Sequence, residues 1–110
     1  MTYDVVILYS NDPDDVFDQN DYISRHMPLV AHEWKKYGMI RWFATSFGNN
    51  LDGSKPQFAI CCVITWETEE GAKAAFQGPE GTKIMKDVSN YSTKPPLFLF
   101  GSTLHSSQLS

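Results

Sequence analysis

The sequence predicts one α+β domain with the ferredoxin-like order β-α-β-β-α-β and an antiparallel sheet. Three observations lead to this prediction. The chain has 110 residues, which suits a single domain. Four segments are rich in β-branched and aromatic residues, and two segments between them carry helical signals. Their order along the chain is that of the split β-α-β unit.

Each element has its own local signals. Strands are predicted over residues 4–10, 40–47, 57–66 and 97–104. The first helix is predicted over 18–37, because Asp18 is a good N-cap and Gly38 supplies a left-handed stop. A second helix begins after Thr68, breaks at Gly78-Pro79 and continues to residue 88. We assign residues 1–105 to the domain and the polar residues 106–110 to a flexible tail.

Three of the predicted strands are apolar on both faces. In the third strand, Phe58, Ile60 and Ile64 alternate with Ala59, Cys61 and Val63. An antiparallel sheet with one wet face should instead alternate apolar and polar residues, and two helices cover only one face. We therefore expect a two-fold homodimer that buries the second face. The alternative is that a loop covers this face or that it stays exposed.

Composition excludes several classes of function. The net charge is −4 and no basic cluster is present, so we expect no nucleic-acid partner. No apolar run approaches the roughly 20 residues that span a bilayer, so we expect no membrane partner. We see no signal peptide and expect a cytoplasmic protein. Cys61 and Cys62 are neighbours on one strand, which argues against a disulfide between them.

His26 is the histidine that the helical pattern places beside an apolar stripe. The stripe comprises Ile23, Met27, Val30, Trp34 and Tyr37, and Tyr22 flanks the same shoulder. An imidazole in such a setting can titrate near neutrality. Pro28 lies mid-helix and removes the donor to the Ser24 carbonyl, a local irregularity that often marks functional sites. The alternative is a satisfied histidine at the core edge and a tolerated kink.

Other candidate groups are fewer. No set of three or four suitable ligands surrounds His26, so we predict no metal, and no nucleotide-binding glycine pattern occurs. We predict no cofactor. Trp42, Trp66 and Tyr91 can wall an apolar pocket, although tryptophans also serve in core or dimer packing. Asp87 is predicted near a helix C-terminus, where a carboxylate opposes the helix dipole unless it has a partner such as His26, Tyr91 or a backbone donor. The alternative is an exposed Asp with no role.

Two motifs resemble the EthD family of dimeric α+β barrel proteins, specifically its short members of fungal type. The first motif is His26-Met27-Pro28-Leu29-Val30, preceded by Tyr9, an acidic loop and Tyr22. The second is Asp87-Val88-Ser89-Asn90-Tyr91, followed by Pro95-Pro96 and a closing apolar strand. The resemblance implies a ferredoxin-like protomer, a barrel closed at the dimer interface, and one pocket per subunit between sheet and helices.

The resemblance implies a cofactor-independent enzyme acting on an aromatic or β-keto polyketide-like substrate. We hypothesise general acid–base catalysis by His26 in cyclisation, dehydration or decarboxylation, with Tyr22, Tyr91 and Asp87 as further catalytic residues. Contacts with the small-molecule substrate are expected from five residues: Tyr9, Met27, Val30, Trp42 and Trp66. Two alternatives stay open, namely a cofactor-free monooxygenase of a phenolic or anthrone substrate and a non-catalytic ligand-binding dimer.

Overall fold

Four antiparallel strands form one sheet, and the helices pack on one of its faces. This computed structural model describes residues 2–110. The strands run β2-β3-β1-β4 across the sheet. Their bounds are β1 Tyr3–Ser10, β2 Met39–Ser46, β3 Phe58–Trp66 and β4 Leu97–Ser102. The predicted fold class is confirmed, and the predicted ends of the strands lie within two residues of those observed.

The first helical segment is continuous but changes its winding along its length. It comprises α1 Gln19–Asp21, a π-helical turn Tyr22–His26, α2 Met27–Trp34 and a 3-10 turn Lys35–Tyr37. The Asp18 side chain caps the start by accepting from the Asp21 N–H, and Gly38 ends the segment at φ 94°. Both predicted ends are therefore confirmed.

The π-helical turn is the form that the irregularity at Pro28 takes. Proline has no N–H to donate to the Ser24 carbonyl, and the Met27 N–H bonds to the Tyr22 carbonyl five residues back. This wider turn changes which side chains face the sheet. His26 is 3% exposed instead of standing at the core edge, whereas Ile23, predicted to lie in the apolar stripe, is 46% exposed. The expected orientation of Ile23 was therefore wrong.

The second helical segment places Asp87 opposite His26. It comprises α3 Glu69–Gln77, α4 Pro79–Asp87 and a 3-10 turn Val88–Asn90. Thr68 caps α3, and the extended backbone of Gly78 separates the two helices, as predicted. Helix α4 runs antiparallel to the first segment, because the Tyr37 hydroxyl donates to Glu80 at 2.7 Å and Lys83 pairs with Glu33 at 2.5 Å. Asp87 lies beyond Glu80 and Lys83 at the end of α4 and also contacts the first helical segment, through His26.

The core lies between the helices and the sheet face formed by Val5, Ile7, Ile60, Cys62 and Ile64, all of which are buried. The opposite face of the sheet is open. Val6 pairs with Val63 on β3 and Leu99 on β4, and Phe43 pairs with Val63. Leu97, Leu99 and Phe43 on this face are 50%, 51% and 53% exposed. The apolar second face expected from the sequence is thus present. Within residues 2–110, no helix has the length and apolar character required to cross a bilayer.

Candidate active site

The candidate site is centred on the buried His26 ring, between the π-helical turn and the sheet. The ring stacks on Tyr22 at a centroid distance of 5.6 Å and meets Tyr91 at 4.5 Å. Its two nitrogens face different environments. Nδ1 lies 2.7 Å from Oδ2 of Asp87, and Nε2 lies 3.3 Å from the Tyr91 hydroxyl.

Asp87 is held as a carboxylate by a set of donors. Oδ1 accepts from Arg25 Nη1 at 2.9 Å and from Asn90 Nδ2 at 2.8 Å, while Oδ2 accepts from Arg25 Nη2 at 3.1 Å. Burial by itself raises the pKa of Asp87, but the hydrogen bonds from Arg25, His26 and Asn90 outweigh it and hold the pKa at about 2. Arg25 is itself fixed by two bonds to Asp21, at 2.7 and 2.8 Å.

The ionised Asp87 fixes the tautomer of His26. Because the ionised Oδ2 can only accept a hydrogen bond, Nδ1 must carry the hydrogen. In neutral His26 the lone pair is therefore on Nε2, which faces Tyr91. Burial lowers the pKa of His26 below its usual value, and the Asp87 carboxylate opposes part of that shift. At neutral pH His26 is therefore a neutral ring whose unprotonated nitrogen, Nε2, lies inside the protein.

Tyr91 links this nitrogen to a second phenol. Since Nε2 carries no hydrogen, the Tyr91 hydroxyl donates to it and accepts from the Tyr9 hydroxyl at 2.6 Å. Burial raises the pKa of Tyr9 to about 12 and also raises that of Tyr91, so both remain protonated at neutral pH. The loop that carries Tyr91 is tied to the start of the first helix, because its carbonyl accepts from the Asp18 N–H at 2.7 Å.

Tyr22 differs from the other two phenols. Its ring packs among Tyr9, Phe17 and Tyr91 at centroid distances of 5.0–5.6 Å, and it is 1% exposed. Its hydroxyl has no hydrogen-bond partner within the described residues. Burial is the main cause of its strongly raised pKa. Tyr22 therefore shapes the site through its ring.

A small cavity adjoins His26. Its volume is about 10 Å³, room for about one water molecule. The polar side chains on its wall are Tyr9, Tyr22, His26 and Tyr91, and Met27 and Val30 are among its apolar lining. Three lining residues are not fully buried, namely Met85, Pro96 and Phe98, and they mark its opening between α4 and β4.

The structure brings together seven of the nine predicted site residues. His26, Asp87, Tyr22 and Tyr91 form the polar cluster, and Tyr9, Met27 and Val30 line the cavity. Trp66 and Trp42 lie elsewhere. Trp66 is fully buried against Trp34 and Phe76, at centroid distances of 5.4 and 6.4 Å. Trp42 lies on edge strand β2 and lines a surface depression with Ala31 and Lys35.

Sequence reasoning missed Arg25 and Asn90, the two other donors to Asp87. One signal was present for Arg25, since it follows Asp21 by four residues and such pairs meet on a helix surface. Its contact with Asp87 depends on the packing of α4 and has no local signal. No group of three or more potential metal ligands occurs among residues 2–110.

Comparisons with known proteins identify the family. No protein-family model matches the chain. An uncharacterised 11.0 kDa protein from the thcB-thcC intergenic region of Rhodococcus erythropolis is 30% identical over 98 residues, covering 89% of this chain and 91% of that protein. An EthD-like protein from Ralstonia eutropha superposes with a TM-score of 0.86 at 21% identity, covering 96% of this chain and 95% of the other. The chain belongs to the same family as the Rhodococcus erythropolis protein, and its fold is that of the EthD-like protein. A Bacillus halodurans EthD protein superposes with a TM-score of 0.74 at 19% identity, covering 94% of this chain and all of the other.

More distant structures share the fold of this chain. One from Jannaschia sp. is described as a dimeric ferredoxin-like protein and superposes with a TM-score of 0.59 at 11% identity, covering 93% of this chain and 98% of that one. Another, from Nitrosomonas europaea, is provisionally described as an antibiotic biosynthesis monooxygenase, with a TM-score of 0.54 at 10% identity over 97% of this chain and 94% of that one. The fold of the chain thus also occurs in a protein that is provisionally assigned to catalysis.

Proposed function

We propose that this protein is an enzyme that moves a proton on an aromatic or β-keto substrate, with His26 as general base and acid. The observation that carries the proposal is the state of the ring. Asp87 holds the hydrogen on Nδ1, so Nε2 is the unprotonated nitrogen of a ring that lines a cavity. A neutral buried imidazole with one unprotonated nitrogen is the form that removes a proton at neutral pH.

The chemistry would proceed through these groups. Nε2 takes the proton from an acidic carbon next to a carbonyl, or from a phenol, and the resulting imidazolium is stabilised by the Asp87 carboxylate at 2.7 Å. The Tyr91 hydroxyl, released from Nε2, donates to the enolate or phenolate oxygen that forms. His26 then returns the proton to a departing hydroxyl or to the product carbon. This cycle suits cyclisation, dehydration or decarboxylation and needs no cofactor.

Anthrone in heavy water tests the proposal, because its methylene carbon exchanges hydrogen for deuterium through the enol. In the absence of oxygen, NMR should show exchange accelerated by the native protein and not by His26→Gln. The matched control is His32→Gln, an exposed histidine on the same helical segment, which should behave as native. Equal exchange with His26→Gln and native protein would refute His26 as the base.

A cofactor-free monooxygenase is the second candidate, and the fold it shares with the Nitrosomonas europaea protein favours it. The first step would be the same deprotonation, after which the carbanion reacts with oxygen. Oxygen uptake with anthrone under air, lost in His26→Gln, would support this reaction. A protein that binds anthrone equally well with and without His26, and neither exchanges hydrogen nor consumes oxygen, would instead be a ligand-binding dimer.

We also propose that two copies pair through the open face of the sheet. Val6, Val63 and Leu99 lie side by side at the centre of that face, away from the helices. An apolar surface of this kind is typical of an interface between subunits. The description of the Jannaschia protein as dimeric supports the formation of a dimer by this fold.

A further inference from the structure

The His26 cavity is too small to hold an organic substrate by itself. A volume of about 10 Å³ takes one water-sized group, whereas ligand sites usually enclose about 300–1,000 Å³. Any substrate that reaches Nε2 must therefore bring one atom or group inward and leave the rest of its structure elsewhere. The position of the rest of the substrate therefore depends on where the cavity opens.

The opening between α4 and β4 leads to a second, larger depression. The outer cleft, which we define by Ser89, Ser92, Thr93, Lys94 and Pro95, has a volume of 230 Å³ and shares the wall residues Met85 and Val88 with the inner cavity. Val88 is buried, but Met85 is 38% exposed. A methionine side chain is unbranched and flexible, which suits a group that moves aside.

We propose that Met85 closes the opening of the His26 site and that the outer cleft holds the polar end of the substrate. The substrate in this inference rests on the proposed function, whereas the position of the opening does not. When the Met85 side chain turns outward, the inner cavity and the outer cleft become continuous. The reacting ring then lies against Met85 and Phe98, with one oxygen or carbon at His26 Nε2.

The outer cleft also indicates the class of substrate. Three hydroxyl-bearing residues, Ser89, Ser92 and Thr93, line it together with Lys94. Their hydroxyls already bond to backbone carbonyls, those of Lys86, Lys94 and Val16. The Lys94 ammonium group is paired with Asp12 at 2.6 Å and with Asp15 at 3.2 Å, so it carries little uncompensated charge. The cleft therefore gives no advantage to a carboxylate, and the end of the substrate that it holds is uncharged.

A second groove approaches His26 from another side of the molecule. A groove of 150 Å³ lies on the other side of the Tyr22 ring, between α1 and β2, and its lining includes Ile23 and Ile60. Tyr22, packed on His26, separates this groove from the ring nitrogen. Substitutions at Ile23 and at Met85 thus test two routes to the same histidine.

Diethyl pyrocarbonate measures access to His26 directly, because it acylates neutral imidazoles and needs no substrate. Mass spectrometry reports each of the three histidines, and His32 and His105 are exposed and serve as internal standards. We expect Met85→Ala to raise the modification rate of His26 about tenfold, equivalent to about 1.4 kcal/mol in the opening step. Met85→Phe should lower it, and Ile23→Ala should leave it unchanged. An unchanged His26 rate in Met85→Ala, with or without an increase in Ile23→Ala, overturns the assignment of the opening.

The same reaction tests the outer cleft. Neutral 1,3-dihydroxynaphthalene should protect His26 from modification at lower concentration than the anion 3-hydroxy-2-naphthoate. Stronger protection by the anion, or none by either compound, overturns the assignment of an uncharged ligand. If Met85→Ala raises the modification rate of His26 but the native protein does not accelerate hydrogen exchange of anthrone, the assignment of the opening is correct and the proposed function is wrong.

Discussion

His26 and Asp87 lie 61 positions apart in the chain, yet Nδ1 and Oδ2 are 2.7 Å apart. Two features of the fold produce this contact. The π-helical turn at Tyr22–His26 directs the imidazole inward, and the antiparallel packing of α4 brings the last residue of that helix beside it. The pair sets the tautomer and the basicity of the ring, so most of the chemistry proposed for the protein depends on it.

The titration of His26 should respond to Asp87 in a defined direction. Burial lowers the pKa of His26 and the carboxylate raises it, so Asp87→Asn should lower the pKa further. NMR of the imidazole protons as a function of pH measures this value. A rise in the His26 pKa on Asp87→Asn would show that the Asp87 carboxylate does not favour the protonated ring.

Acid should destabilise the protein through the same two groups. Both have a pKa below the usual value in the folded state, so the unfolded chain takes up the protons first as the pH falls. The stability contributed by His26 and Asp87 is complete above their usual values of 6.5 and 3.8, and the Asp87 part disappears as the pH falls toward about 2.

Urea unfolding at a series of pH values checks this expectation. The slope of the free energy of unfolding against pH should be smaller in Asp87→Asn than in the native protein in the acid range. Identical slopes would contradict the lowered pKa of Asp87.

Removal of the hydroxyl group should change the stability of the protein differently at two tyrosines of one aromatic cluster. Tyr91→Phe leaves the Tyr9 hydroxyl and His26 Nε2 without their partner and should cost about 1–3 kcal/mol of unfolding free energy. Tyr22→Phe removes a buried hydroxyl that has no partner among the described residues, so it should be neutral or slightly stabilising. Urea denaturation compares the pair, and equal losses would contradict the hydrogen-bond assignment.

The open face of the sheet should control oligomeric state. Val63→Arg places a charge at the centre of that face and should convert a dimer to a monomer without unfolding it, because the side chain points away from the helices. Leu104→Arg is the matched control, since Leu104 is almost fully exposed outside the sheet. Sedimentation velocity distinguishes the species. A dimer that persists in Val63→Arg, or native protein that is monomeric at micromolar concentration, would contradict pairing through this face.

Gly81 should be required for the position of α4. A Cβ atom added there would meet the carbonyl oxygens of Phe76 and Ala75, the latter at 2.8 Å, so the corner between α3 and α4 would have to widen. Gly81→Ala should lower the melting temperature, whereas Gly101→Ala, which meets nothing within 4 Å, should change it much less. Circular dichroism during heating measures both, and equal melting temperatures for native protein and Gly81→Ala would show that the corner yields easily.

Local signals in the sequence were sufficient to predict the helices and strands and the residues at which they end. Asp18, Thr68 and Gly38 act within a few residues of themselves, so capping and left-handed geometry could be predicted without knowledge of the fold. The position of Asp87 near a helix C-terminus indicated that it needs a partner, and His26 was one of the partners considered. The orientation of Ile23 could not be predicted, because the spacing of apolar residues assumes an unbroken α-helix and the π-helical turn violates that assumption.

The sequence alone determined the β-α-β-β-α-β order, the apolar second face of the sheet and the identity of His26 as the candidate base, because each depends on residue types at short spacing. Tertiary structure decided that Arg25 and Asn90 complete the shell of Asp87, that Trp66 belongs to the core, and that Met85 lines the cavity beside His26. These features depend on how helices far apart in the chain pack on one sheet, and the distances between their side chains are fixed only when that packing is complete.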